Sequence, residues 1–208
     1  MAGAILAGGA SSASAVTLAD FDGIQTGTLV GDELLVALIG SGACVGAAPG
    51  GGATGSALCG ADVDDNTLTF SGIDFDQPAL LSFSLAAFIV GSGDFDPPDT
   101  VSVTANGVDV ITFNGIDGTA IFEQTSGAIG GGSGAVLNDL FQEFRIDTAA
   151  LNAGIGDLVF FFDTSATTEN VAVDSVTLSA IPLPAGGFLL LGGLGGLALM
   201  RRRQSQHG

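Results

Sequence analysis

The 208-residue chain has no tryptophan, no tyrosine and no lysine, and it carries one histidine and two cysteines. Each absence removes a class of function. A sugar-binding face built on aromatic stacking would rest on phenylalanine alone, and most of the 14 Phe residues fall on inward positions of strand patterns. The lone histidine, His207, lies beyond the last arginine, so no Ser-His-Asp or Cys-His arrangement can form in the main body. There is no GxSxG elbow and no P-loop. Gly130-Gly131-Gly132-Ser133-Gly134 is followed by neither a helix pattern nor a lysine, so it reads as a flexible loop rather than a phosphate cradle. Between Val16 and Ala180 the only basic residue is Arg145, whereas every Asp and Glu lies in that stretch. A formal net charge of −18 excludes a phosphate-tracking surface, and with it nucleic-acid binding. Carboxylate pairs could in principle serve a glycosidase as acid and base, but their abundance makes any one pair uninformative. The chain is expected not to be an enzyme.

What is present is concentrated at the C-terminus. Ile181-Pro182-Leu183-Pro184-Ala185 leads into an apolar run, Gly186 to Met200, closed by Arg201, Arg202 and Arg203. From Ile181 to Met200 no residue is charged. As a helix the run spans about 24–30 Å, the short end of a membrane crossing. Small residues are tolerated in lipid and let helices approach closely. The arginines favour a span over a buried core helix, because a basic cluster holds one end on the cytoplasmic side. The expectation is a transmembrane helix over 186–200 and a cytoplasmic tail over 204–208. Pro182 and Pro184 keep the junction extended, as a protease requires of a substrate.

This segment resembles the C-terminal sorting signal of the PEP-CTERM class, in its VPLPA-CTERM variant, with Ile181 standing where the variant has Val. The resemblance covers roughly residues 181–203. It implies a Gram-negative source, processing by an exosortase-type enzyme, export through an inner-membrane intermediate to the cell surface or beyond, and association with exopolysaccharide or biofilm. It implies nothing about the fold of the preceding domain.

The opposite end is compatible with export. In residues 1–15, Ala13-Ser14-Ala15 fits a signal-peptidase site, with the mature chain starting at Val16. The apolar part is short and the positive region is missing, as expected of a signal peptide truncated by a start codon assigned too far downstream. In an exported chain Cys44 and Cys59 are expected to form one local disulfide, stabilising by about 3 kcal/mol in the chain-entropy model. No CxxC pair or neighbouring histidine supports zinc or redox chemistry.

Residues 16–180 suit one extracytoplasmic domain. Leu68 and Phe70 alternate with Thr67 and Thr69, and Leu81, Phe83 and Leu85 with Ser82 and Ser84, the period of half-buried strands. Residues 101–113 predict a hairpin about Asn106-Gly107, with Ala105 opposite Val108 and Val103 opposite Val110. Further strands are expected over Ala120–Phe122, Phe141–Ile146, Leu158–Phe162 and Val171–Leu178. Glu33–Ile39 fits a short helix or a buried strand, and we favour the strand. Val171 and Val173 share one parity, Val176 and Leu178 the other, so a bulge at Asp174-Ser175 would keep all four inward. Short strands, Gly-rich turns and almost no helix predict an all-β antiparallel sandwich.

Leu18-Ala19-Asp20-Phe21-Asp22, the Asp94–Asp99 loop, Phe141-Gln142-Glu143-Phe144 and the closing Glu169–Val176 together loosely resemble the jelly rolls of galactose-binding-like and carbohydrate-binding modules. That resemblance implies neighbouring first and last strands, sometimes bridged by a structural calcium. Asp20 or Asp22 would then approach Glu169 or Asp174. No cofactor is required, but a dense anionic surface demands counterions, and Ca²⁺ is the natural one for clustered carboxylates. The functional expectation is an exported, non-enzymatic surface or matrix protein. Its alternative is a calcium-assisted carbohydrate-binding module, and a third reading is a polysaccharide hydrolase.

Overall fold

Residues 15–129 and 135–181 are described by the computed structural model, and these residues form thirteen β-strands and no α-helix. Residues 1–14, the loop 130–134, the motif residues Pro182 to Ala185, the apolar run and the arginines lie outside the described residues. Among the described residues no helix is long and apolar enough to cross a membrane.

The strands make two antiparallel sheets that pack as a sandwich. The first runs β11 (Gln142–Asp147), β6 (Ala79–Ile89), β13 (Glu169–Ala180), β4 (Ser56–Ala61) and β3 (Leu35–Leu38). β1 (Ala15–Ala19) continues the line of β4 along β13: β4 takes Asn170–Val173, and β1 takes Val176–Ser179. The first and last strands are therefore paired. The second sheet runs β10 (Val136–Leu137), β9 (Phe122–Ser126), β8 (Val108–Gly115), β7 (Thr100–Ala105), β12 (Ile155–Asp163), β5 (Asn66–Asp74) and β2 (Thr28–Val30).

Alternation places one side chain in two between the sheets. Phe83 of β6 meets Phe160 of β12 edge-to-face at 5.2 Å and stacks on Phe144 of β11 at 5.8 Å. Phe113 of β8 packs against Phe144, and Phe70 of β5 against Phe160. This run of rings crosses from sheet to sheet. The first sheet is also buried on its outer side. Ala57 and Cys59 of β4, Ala86 and Phe88 of β6 and Ala172 of β13 gather with Cys44, Ala47, Ala53 and Phe141 in a second apolar cluster. The segment between β3 and β4 closes this cluster, and the Cys44–Cys59 disulfide pins it to β4. Burial on both faces explains why Leu85-Ala86-Ala87-Phe88 is buried without a break.

The irregularities follow from side-chain chemistry. In β13, Asp174 faces Ser84 and Thr177 faces Ser82, so two residues of β13 oppose one of β6, with Ser175 at φ 55°. The bulge keeps Val171, Val173 and Val176 fully buried, while Leu178 is half-buried against the core. At the hairpin, Ala105 pairs with Val108 and the turn has Asn106 at φ 46° and Gly107 at φ 75°, the left-handed pair a type I′ turn needs. The expected pairing of Val103 with Val110 is corrected. Thr104 faces Asp109 and Val103 faces Ile111, so Val110 is the extra residue of a bulge. That bulge buries the consecutive branched residues Val110 and Ile111 together, where strict alternation would expose one.

Two strand expectations also change. Residues 120 and 121 precede β9, which begins at Phe122; Thr119 ties this turn by donating to the carbonyls of Ile116 and Ile121. Glu33–Ile39 does contain a strand, β3, but it is not buried: Leu35, Val36 and Leu38 are 59%, 50% and 60% exposed. It lies at the sheet edge, with no further strand paired beyond it among the described residues.

Asn106 does more than tolerate a positive φ, since its Nδ2 donates to the carbonyls of Asn152 and Ala153. Asn106→Ala is expected to lower stability by about 1–2 kcal/mol through both losses. Urea denaturation reads this directly, and an unchanged midpoint would rule out the turn as a register device.

Candidate functional site

Three connections converge at one end of the sandwich: the β4–β5 turn, the segment leading into β7, and the β12–β13 loop. Val63 N–H donates to Thr164 Oγ1 and Thr164 N–H to the Val63 carbonyl, joining the first and third. Ser165 N–H donates to Asp99 Oδ1, joining the second and third. Each connection carries acids for its own local reason. Asp62 and Asp65 hold positive φ, which aspartate accepts better than most residues. Asp99 caps its own turn by accepting from Asp96 N–H.

The result is two groups of carboxylates, Asp96–Asp99–Glu169 and Asp64–Asp65–Asp163, each with oxygens within 4.8 Å of one another. Asp99 and Glu169 are buried, 1% and 3% exposed. Glu169 Oε2 accepts the backbone N–H groups of Ser165 and Ala166. Burial pushes the Glu169 carboxyl up, the negative charge of Asp99 adds to this, and those N–H groups oppose it. Asp163 is likewise raised, first by burial and then by Asp65, Asp64 and Asp99. Asp99 therefore couples the two groups. Among the described residues the one cationic side chain, Arg145, is paired with Glu143 at 2.7 Å. Oxygen-only clusters of this kind match what a hard divalent cation takes as ligands.

The residues expected to bind calcium are distributed differently. Asp20 Oδ1 accepts from Gly23 and Ile24 N–H within its own turn, and that bond to Ile24 chiefly holds its carboxyl below the usual value. Asp22 accepts from Ser56 N–H at 2.7 Å. Asp174 is fully buried at the β13 bulge; its Oδ2 accepts from Thr54 N–H and Ser175 Oγ, and its Oδ1 has no partner. Burial raises its carboxyl to about 6, against the hydrogen bonds from Ser175 and Thr54 and with help from the charge of Asp22. Asp22 and Asp174 are thus electrostatic neighbours. Glu169 begins β13, five residues from Asp174 and roughly 16 Å away along an extended strand. It joins Asp96 and Asp99 instead. Asp96, Asp99, Asp64, Asp65 and Asp163 are not among the residues that the sequence assigns to a cation. The closely spaced acids Asp62, Asp64 and Asp65, and Asp96-Pro97-Pro98-Asp99, carried the signal, but only the fold brings them to one end.

Of the phenylalanines among the described residues, only Phe161 is not buried, and it is half-buried rather than exposed. The surface offers carboxylates, hydroxyls, amides and scattered aliphatics, and no exposed aromatic ring among the described residues.

No protein-family model and no curated protein matches the chain. Several solved structures align with it. The K1 cleaved adhesin domain of Lys-gingipain from Porphyromonas gingivalis W83 aligns at TM-score 0.50 and 14% identity, over 81% of this chain and 99% of that one. The family 11 carbohydrate-binding module of a cellulosomal cellulase of Clostridium thermocellum aligns at TM-score 0.41 and 10% identity, over 82% and 97%. A Clostridium stercorarium module solved with cellobiose aligns at TM-score 0.36 and 17% identity, over 80% and 92%. At such identities the likeness is one of fold: the chain is a β-sandwich similar in architecture to an adhesin domain.

Proposed function

We propose that this chain is an exported, non-enzymatic surface or extracellular-matrix protein of a Gram-negative bacterium. Its C-terminal segment carries it to the inner membrane, an exosortase-type enzyme processes it at Ile181–Ala185, and its acidic sandwich then acts in the exopolysaccharide layer. In finer terms the sandwich is a jelly roll of the galactose-binding-like kind.

The observation that carries this reading is what the body exposes. A surface of carboxylates, hydroxyls, amides and scattered aliphatics, without exposed rings among the described residues, meets polysaccharide through bridging cations and hydrogen bonds rather than by stacking. The Cys44–Cys59 disulfide suits an oxidising compartment outside the cytoplasm. The architecture it shares with an adhesin domain is the ground for carrying adhesion over to this chain. A strain lacking the protein is expected to show reduced biofilm and cell adhesion. Unchanged surface material, biofilm and adhesion would sink the proposal.

The second reading is a calcium-assisted carbohydrate-binding module, favoured by the Asp96–Asp99–Glu169 group. Here Ca²⁺ would offset the burial and the Asp99 repulsion that together raise Glu169. Calorimetry against acidic and neutral polysaccharides, with and without EDTA, separates the readings: heat that EDTA abolishes favours the module, and silence across the panel rejects it.

A further inference from the structure

We infer that the outer face of the second sheet binds an uncharged polysaccharide, laid across the strands along the row Val30, Thr67, Phe161, Ser102 and Thr112. The two outer faces of the sandwich differ. The disulfide-pinned segment covers the first sheet and builds the second apolar cluster there. Neither that cluster nor the core between the sheets includes Val159 or Phe161 of β12. Strand pairing sets Phe161 between Thr67 of β5 and Ser102 of β7, and Val159 between Thr69 and Thr104. Val30 of β2 extends the first row beyond Thr67, and Thr112 of β8 extends it beyond Ser102. Leu68, Phe160, Val103 and Ile111 point into the core, so alternation turns the row outward. It crosses five strands, roughly 19 Å at about 4.8 Å per strand. It holds no charged residue, on a body where every Asp and Glu of the chain lies.

The chemistry of the row selects its occupant. Among the described residues the hydroxyls of Thr67, Thr69, Ser102 and Thr104 bond no other protein group, whereas those of Thr100 and Thr112 donate to the Pro98 carbonyl and to Asp109 Oδ1. The four free hydroxyls frame the half-buried Phe161 ring and Val159 in a rectangle of about 7 by 10 Å. An apolar protein surface would strip water from these hydroxyls and return no hydrogen bond. A glycan returns donors and acceptors at every sugar and lays C–H groups on the floor that Phe161 and Val159 provide. The glycan that fits is uncharged. Asp163 and Asp109 border the row, opposite Thr100 and Thr104, and the anionic body repels a polyanion. Contact runs through hydroxyls and the apolar floor, so no cation is needed. The inference rests on the matrix role proposed above for its class of ligand, and it gives that role a contact that does not depend on metal.

Calorimetry in EDTA tests this, with the protein as purified from the producing cells and with cellohexaose, laminarihexaose, mannohexaose and an alginate hexamer as probes. The expected result is binding of a neutral oligosaccharide with Kd on the order of 0.1–1 mM. Alginate should bind at least about tenfold more weakly. Thr67→Val combined with Ser102→Ala removes two hydroxyls and adds no charge, and it should weaken binding at least about tenfold. Thr17→Val, on β1 of the other sheet, should stay within about twofold of the parent. Circular dichroism and an intact disulfide establish that each variant is folded. Silence of all three neutral oligosaccharides at about 5 mM overturns the inference. Binding undiminished in the double variant, or present only without EDTA, overturns it as well. Each of these outcomes leaves the matrix role standing, because that role is judged by the deletion strain.

Discussion

Phe83→Ala is expected to lower the unfolding free energy by about 3–5 kcal/mol, the range for deleting a buried aromatic ring. Phe83 is completely buried and contacts rings from both sheets, Phe144 at 5.8 Å and Phe160 at 5.2 Å. Removing it forfeits the transfer free energy of the ring. It also leaves a cavity that the sandwich cannot close, because its neighbours are anchored in separate sheets. Phe161→Ala is the control. That residue sits on the opposite parity of β12 and is only half-buried, so about 1 kcal/mol is expected from its smaller buried area. Urea denaturation of both variants at one pH decides the matter. Equal losses would contradict a core organised around the inter-sheet rings.

The second large effect is pH-dependent. Asp174 has a folded-state pKa raised to about 6 from 3.8, chiefly by burial. Between these values the folded protein holds a proton that the unfolded chain has released, so stability falls as pH rises. The favourable state is fully present below about 3.8 and lost as pH passes 6. The difference amounts to about 3 kcal/mol. Asp174→Asn removes the buried charge but places an amide donor at the position where Oδ1 has no partner, which offsets about 1–2 kcal/mol. The variant is therefore expected to exceed the parent by about 1–2 kcal/mol at pH 8 and to lose this advantage by pH 4. Denaturant midpoints across that range give the answer. A difference that does not change with pH would remove Asp174 as the source. Glu169 and Asp163 are raised in the same direction and by the same first cause, so the pH slope of the parent survives in part in the variant.

Much of the sandwich was legible because period-2 alternation reports a one-sided strand. Leu68 and Phe70, or Leu81 and Phe83, could be assigned an inward side without knowing their partners. Asn106-Gly107 fixed its turn because few residue pairs accept two positive φ values. The parity switch in β13 announced the bulge at Asp174-Ser175. Alternation failed where its premise failed. Leu85-Ala86-Ala87-Phe88 is buried on both faces because the disulfide-pinned segment covers the outer side of the sheet, and no local pattern reveals that lid. The β7–β8 bulge was missed because it arises from competition between Val110 and Ile111 for the same interior. β3 was expected to be buried because apolar sequence alone does not distinguish a central strand from an edge.

The acidic groups were legible only as composition. Asp64, Asp99, Asp163 and Glu169 are far apart in sequence, and backbone bonds among three connections bring them together. Asp22 follows β1, which pairs with β13, and its charge reaches Asp174. The length of β13 sets Glu169 toward the other end.

These carboxylates matter to the proposed role only if the body leaves the cell free of its basic tail, which holds three of the chain's four arginines. The most direct measurement is the intact mass of the mature protein from the producing cells. The proposal predicts a C-terminus at or near Pro184, leaving an almost purely anionic sandwich. A mature chain that retains Arg201 through Gly208 would contradict it.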